Sequence, residues 1–131
     1  MVTKITLPIY YKRRLSNKQG ANVLVGLNWY RNAHYRISGD VKKRYHELVK
    51  KAIGDAKFDK VRIKYTVFIG RRGTDGGNVR SVIEKFFLDG LVECGAIPDD
   101  DITHVVGDES HYFIDRDNPR IEIEIVEQNP N

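Results

Sequence analysis

Five residues in one stretch carry the side-chain types that metal-assisted chemistry needs: Asp75, Lys85 and the run Asp99, Asp100 and Asp101. They lie within DGGNVRSVIEKFFLDGLVECGAIPDDD, residues 75–101. Converging carboxylates form an all-oxygen site suited to Mg²⁺ or Mn²⁺. A lysine beside them can stabilise developing negative charge or orient a water. Each residue also has an ordinary reading. Asp75 is an N-cap type, the aspartate triplet is a solvated turn, and Lys85 pairs with Asp89 four residues on. Taken singly, the ordinary readings prevail; the case for chemistry rests on the ordered set.

One helix must position this set. Asp75 and Asn78 are start signals, and Val79, Val82, Ile83, Phe86, Phe87, Leu91 and Cys94 recur at three- and four-residue steps. Gly95 is the expected left-handed stop, and Pro98 prevents continuation. Asn78, Lys85 and Asp89 fall nearly in one line away from the apolar stripe. Asp75 precedes the first turn while the triplet follows the last, so only a fold-back of the connecting loop brings them together.

The order Asp-x-x-Asn (Asp75, Asn78), Lys85, Asp-x-Leu (Asp89, Gly90, Leu91), Gly95 and Asp99-Asp100 resembles the RusA-like Holliday-junction resolvases of phages and prophages. The signature covers about a fifth of the chain. The resemblance implies a homodimeric, Mg²⁺-dependent endodeoxyribonuclease that cuts four-way DNA. By it, Asp75 and Asp100 are catalytic metal ligands with Asp99 beside them, and Lys85 is the basic residue of the site. Asn78 holds the turn or a metal-bound water; from the residues alone, Asp101 is the alternative ligand in the aspartate run. Two departures stand out. Gly77 occupies the place of a second aspartate, and the step from Asn78 to Lys85 is about one helical turn longer than the family pattern. Glu84 is the candidate replacement carboxylate, although it lies roughly 100° round the helix from Lys85.

Charge is divided along the chain. Residues 1–73 hold 18 Lys and Arg against 4 Asp and Glu, whereas residues 74–131 hold 4 against 14, leaving a net charge of +4. A basic half suits phosphate neutralisation and an acidic half suits metal binding. The two halves could also simply pair with each other. The chain is read as a single domain over 1–131. No apolar run approaches a membrane span, and the N-terminal residues lack a signal-peptide pattern. Cys94, the lone cysteine, cannot form an internal disulfide, which suits a reducing cytoplasm, bacterial or that of a phage-infected host. The four histidines show no metal-ligand spacing.

Elsewhere, residues 2–10 read as a first strand limited by Pro8. Residues 10–20, YYKRRLSNKQG, read as a projecting loop in which either Lys12, Arg13 and Arg14 contact phosphates and the tyrosines stack on bases, or the basic side chains are simply exposed with no ordered partner. Within 21–37, Arg31 and Arg36 join a DNA-facing surface and Trp29 is a core or interface anchor; His34 is the histidine best placed for substrate contact, with a hydrogen-bonded structural role the favoured reading. Residues 40–53 read as the first helix, capped by Asp40 and stopped by Gly54. Its stripe is Val41, Tyr45, Leu48, Val49, Ala52 and Ile53. Residues 60–69 alternate as a strand. Arg71 and Arg72 follow it, next to Asp75, where they hold the scissile strand or balance the aspartates. Residues 102–106 read as a short strand, GDES as a turn, and RIEIEIVE as a last strand whose glutamates face solvent or a lysine-bearing neighbour.

The expected fold is α+β, a mixed sheet with two main helices packed on it, RusA-like. The expected function is metal-dependent resolution of branched DNA by a homodimer, without membrane association. The competing class is a catalytically impaired DNA- or junction-binding protein. A third is an interaction protein whose charged halves drive assembly; it predicts no salt-sensitive DNA affinity.

Overall fold

The computed structural model describes the backbone of residues 2–15 and 18–128, and their side chains except those of residues 13–15 and 18–21. Strands β1 (Val2–Leu7), β2 (Tyr10–Leu15) and β3 (Lys18–Leu24) come first. Helices α1 (Leu27–Asn32) and α2 (Tyr35–Ile53), strand β4 (Val61–Ile69) and helix α3 (Gly76–Glu93) follow, and β5 (Val105–Ile114) and β6 (Arg120–Glu127) complete the order. The fold is α+β. Four strands form a mixed sheet in the order β1-β6-β4-β5, and β2 and β3 form a separate antiparallel hairpin.

The alternating sequence of β4 explains its central place. Val61, Ile63, Tyr65, Val67 and Ile69 all point into the core, with Arg62, Lys64, Thr66 and Phe68 on the other face. β6 repeats the pattern with Ile121, Ile123 and Ile125, and runs antiparallel to both β4 and β1. β5 is parallel to β4, which requires the crossover that α3 supplies. The opposite face of the sheet is polar. There Glu124 bridges Lys4 at 3.3 Å and Lys64 at 3.9 Å, so the glutamate row of β6 does face lysine-bearing strands.

α3 lies over the apolar face with Val79, Val82, Ile83, Phe86, Phe87 and Leu91 buried and Cys94 half-buried, as its spacing predicts. α2 packs beside it through Val41, Tyr45, Val49 and Ile53; Ala52 is exposed rather than part of that stripe. Gly54 and Gly95 both take positive φ, 62° and 78°, at the two helix exits.

Several boundaries differ from the sequence expectation. Pro8 ends β1, and the chain then forms a hairpin, not a projecting loop, because residues 10–15 pair with 18–24. α2 begins at Tyr35, so Asp40 lies inside it; the cap is His34, whose Nδ1 accepts a 3.2 Å bond from the Arg36 N–H. This makes His34 structural. α1 is a third helix, and Trp29 within it packs edge-on against Phe86 while its indole N–H donates to the Tyr11 hydroxyl at 2.9 Å. Residues 102–104 are a turn, and GDES continues one ten-residue strand, because pairing with β4 overrides the local turn preference. No helix among the described residues is long and apolar enough to cross a membrane.

Candidate functional site

The strand–helix–strand unit β4-α3-β5 decides where the carboxylates go. β4 ends at Ile69, and the Gly70–Thr74 turn delivers Asp75 to the start of α3. The Asp75 Oδ1 accepts the Asn78 N–H at 3.2 Å, capping the helix. α3 then runs back along the sheet for 18 residues, a length of ~27 Å. The aspartate run follows its far end. The Asp101 carbonyl accepts from Val105 N–H at 2.8 Å, and Val61 N–H donates to His104. Asp99, Asp100 and Asp101 therefore sit beside the first residue of β4, while Asp75 sits beyond its last. In one chain the loop does not fold back, and the two groups lie at opposite ends of the sheet.

At the far end, Asp99 and Asp100 are neighbours in more than sequence. The Asp100 N–H donates to Asp99 Oδ1 at 2.8 Å. Partial desolvation, then the Asp99 carboxylate, and more weakly Asp89, hold the Asp100 carboxyl above the usual carboxylate range. Asp101 is turned the other way: its Oδ1 accepts from the Thr103 hydroxyl at 2.6 Å and the Thr103 N–H at 3.1 Å, which lowers its pKa. Its carboxylate is thus engaged in the turn. Asp89 forms an ion pair with Lys42 of α2 at 3.4 Å, in place of the expected pair with Lys85; Lys85 is exposed.

Glu84 does not face Lys85. It pairs with Arg80 at 3.0 Å beneath the helix, both side chains about three-quarters buried, next to the buried Tyr65 hydroxyl. Gly77, by contrast, has room: a Cβ there would meet only Asp75 Oδ1 at 3.4 Å and the Tyr112 hydroxyl at 3.9 Å. A carboxylate at 77 would sit beside Asp75, so Glu84 is no substitute for it. Among the described residues, no three His, Cys, Asp or Glu side chains come close enough to hold a metal ion. Asp99 and Asp100 lie at one end and Asp75 at the other, so the expected ligand set is not assembled within one chain.

Cations gather at the Asp75 end. Arg71 and Arg72 are exposed in the turn before Asp75. Arg71, Thr74 and Arg116 wall an open cleft of about 570 Å³ whose other side is the base of the hairpin, at Tyr10 and Asn22. Away from this turn, Lys12, Arg31 and Arg36 are also exposed, and Arg36 lies 5.9 Å from the Tyr35 ring centre. The side chains of Arg13 and Arg14 fall outside the described ones. Arg116 and Tyr112 escape a reading of the sequence because each lies distant in the chain from Asp75. Only the parallel pairing of Val67 with Tyr112 brings β5 under the first turn of α3. No family model matches the chain, and no curated protein matches it.

Proposed function

We propose that this chain is a Mg²⁺-dependent endodeoxyribonuclease that resolves branched, four-way DNA as a homodimer. The observation that carries the reading is the continuity between a cationic surface and a carboxylate. The Arg71–Arg72 turn runs directly into Asp75, beside a cleft walled by Arg71 and Arg116. Arginines there would hold the phosphates of the cut strand, with Lys12, Arg31 and Arg36 extending the contact. Within one chain Asp75 lies apart from Asp99 and Asp100, so Asp75 of one copy and Asp99 and Asp100 of the other would hold the cation, which supplies Lewis-acid polarisation and an acidified water when bound. Lys85, exposed on the helix surface, would balance charge that develops at the phosphate. Such an enzyme works in a reducing cytoplasm, where Cys94 remains a thiol.

A labelled four-way junction incubated with Mg²⁺ or with EDTA tests this. Paired symmetric nicks that require Mg²⁺ are expected; a mobility shift without nicks would return the protein to the class of junction binders.

That second reading has an observation in its favour. Gly77 withholds a carboxylate at a place where the backbone leaves room for one. A junction binder that has lost cleavage predicts that Gly77→Asp creates Mg²⁺-dependent nicking where the natural chain has none. If the natural chain already cuts, the same substitution is expected to change its Mg²⁺ requirement rather than to switch activity on.

A further inference from the structure

The hairpin β2-β3 stands apart from the main sheet, and among the described residues β2 pairs with β3 alone. Its register shows which backbone groups of β2 are left over. The Val25 N–H donates to the Ile9 carbonyl at 2.8 Å, one step before the Tyr10–Leu24 pair. Bonding alternates along an antiparallel ladder, so Tyr11 bonds Val23, while Tyr10 and Leu24, like Lys12 and Asn22, do not bond each other. The N–H and C=O groups of Tyr10 and Lys12 therefore point away from β3, to the open edge.

That edge faces a helix across a cleft. About 860 Å³ lies between Tyr10, Tyr11 and Lys12 on one wall and Ile37, Val41 and Arg44 of α2 on the other. Tyr45 of α2, bonded to the Pro8 carbonyl, ties the two walls together. At Tyr11 and Ile37 the cleft meets a second hollow of about 350 Å³, walled by Val23 and Trp29. Ile37 is 37% exposed there. Lys12 and Arg44 are exposed at the rim, with Asp40 the carboxylate beside them. Alternation along β2 sorts these groups: Tyr11 lies on the hairpin face that meets Trp29, and Tyr10 and Lys12 lie on the face that meets Arg71.

We infer that an extended, acidic peptide of a partner protein adds to the open edge of β2 as a third strand, with apolar side chains toward Trp29 and Ile37 and carboxylates toward Lys12. An unpaired strand edge beside an apolar cleft is the geometry of strand addition: main-chain bonds hold the peptide, and hollows select every second side chain. Charge narrows the occupant. Residues 12–14 are Lys, Arg and Arg, which oppose pairing with the same edge of a second copy and favour an acidic strand. A nucleic-acid strand answers the cations but offers no alternating amide donors and acceptors to Tyr10 and Lys12. The inference does not rest on the nuclease reading.

Fluorescence anisotropy of a labelled, end-blocked octapeptide of alternating aspartate and leucine tests this with the full chain. Saturable binding is expected, and the same peptide with lysine for aspartate should bind about tenfold more weakly or worse. Two further peptides carry N-methyl groups, one on its leucines and the other on its aspartates. A paired strand turns every second N–H to its neighbour, so one version should lose about tenfold and the other keep its affinity. Lys12→Pro deletes an outward N–H and no bond within the hairpin, so it should bind about tenfold more weakly than Lys12→Ala, both folded by circular dichroism. Ile37→Glu should abolish binding, and it decides the matter should the proline variant not fold. Absence of saturable binding, equal affinity of the two N-methylated peptides, or full binding by Ile37→Glu overturns the proposal. So does an oligothymidylate that binds through Ile37 where the peptide does not, which would assign the cleft to nucleic acid. None of these measurements reads cleavage, so the nuclease reading and this one fail separately.

Discussion

The Tyr112 ring fills the space that a side chain at Gly76 would need: a Cβ there would stand 2.5 Å from Tyr112 Cδ1 and 3.0 Å from Cε1. The first turn of α3 thus rests directly on the exposed edge strand, and a glycine is what permits the approach. This contact ties the helix that begins at Asp75 to the edge strand β5.

Gly76→Ala is therefore expected to destabilise the fold by about 1 kcal/mol, because overpacking outweighs the gain in helix propensity. With Tyr112→Ala already present the clash is gone, and the same change should become neutral or stabilising. Urea midpoints for the four proteins of the cycle check this. Equal effects in both backgrounds would remove the Gly76–Tyr112 contact from the account.

Asp75 has two roles that different substitutions separate. Asp75→Ala removes the acceptor for the Asn78 N–H and should cost about 1 kcal/mol of stability. Asp75→Asn keeps a capping oxygen and loses only the charge, so stability should change by a few tenths of a kcal/mol. On the nuclease reading both abolish cutting. Thermal unfolding beside a junction assay distinguishes them, and full activity in Asp75→Asn would exclude Asp75 as a ligand.

Asp100 predicts a dependence on pH with a definite sign. Its folded pKa is raised above the ordinary value by partial desolvation and by Asp99. Its contribution to stability is thus fully present below the ordinary pKa and lost as pH rises through the raised one. Asp100→Asn should be more stable than the natural chain at neutral pH, with the difference shrinking as pH falls below the carboxylate range. Urea midpoints measured from pH 7 to pH 3 test the trend. Asp101 works in the opposite sense: its pKa is lowered by Thr103, so its share is lost on acidification.

Two buried tyrosines make contrasting predictions. The Tyr45 hydroxyl donates to the Pro8 carbonyl at 2.5 Å, so Tyr45→Phe should cost about 1 kcal/mol. The Tyr65 hydroxyl is buried with no hydrogen-bond partner in reach among the described residues, and burial followed by the Glu84 charge pushes its pKa far above the usual range. Tyr65→Phe should therefore be neutral or slightly stabilising. A clear loss at Tyr65 would mean that its hydroxyl and Glu84 are in fact bonded.

Much of the fold was legible from local pattern. The strict alternation of Val61 to Ile69 and of Ile121 to Ile125, and the stripe of α3 between Asp75 and Gly95, carry their own periodicity and caps, which need no tertiary contact to express. The α+β class follows from them. Where preference was weak, pairing or packing decided: GDES became strand against β4, and α2 reached back past Ser38 and Gly39 to a histidine cap.

The sequence alone determined the inventory of the candidate site: the acidic residues flanking α3, the cations before it and the glycine at 77. It could not determine their separation. A helix of 18 residues between Asp75 and Asp99 allows either a fold-back or a straight return, and only the parallel pairing of β5 with β4 imposes the straight one. That pairing sends the two carboxylate groups to opposite ends of one chain and leaves β5 bare at its edge. Both consequences arise from a single long-range contact that no local spacing encodes.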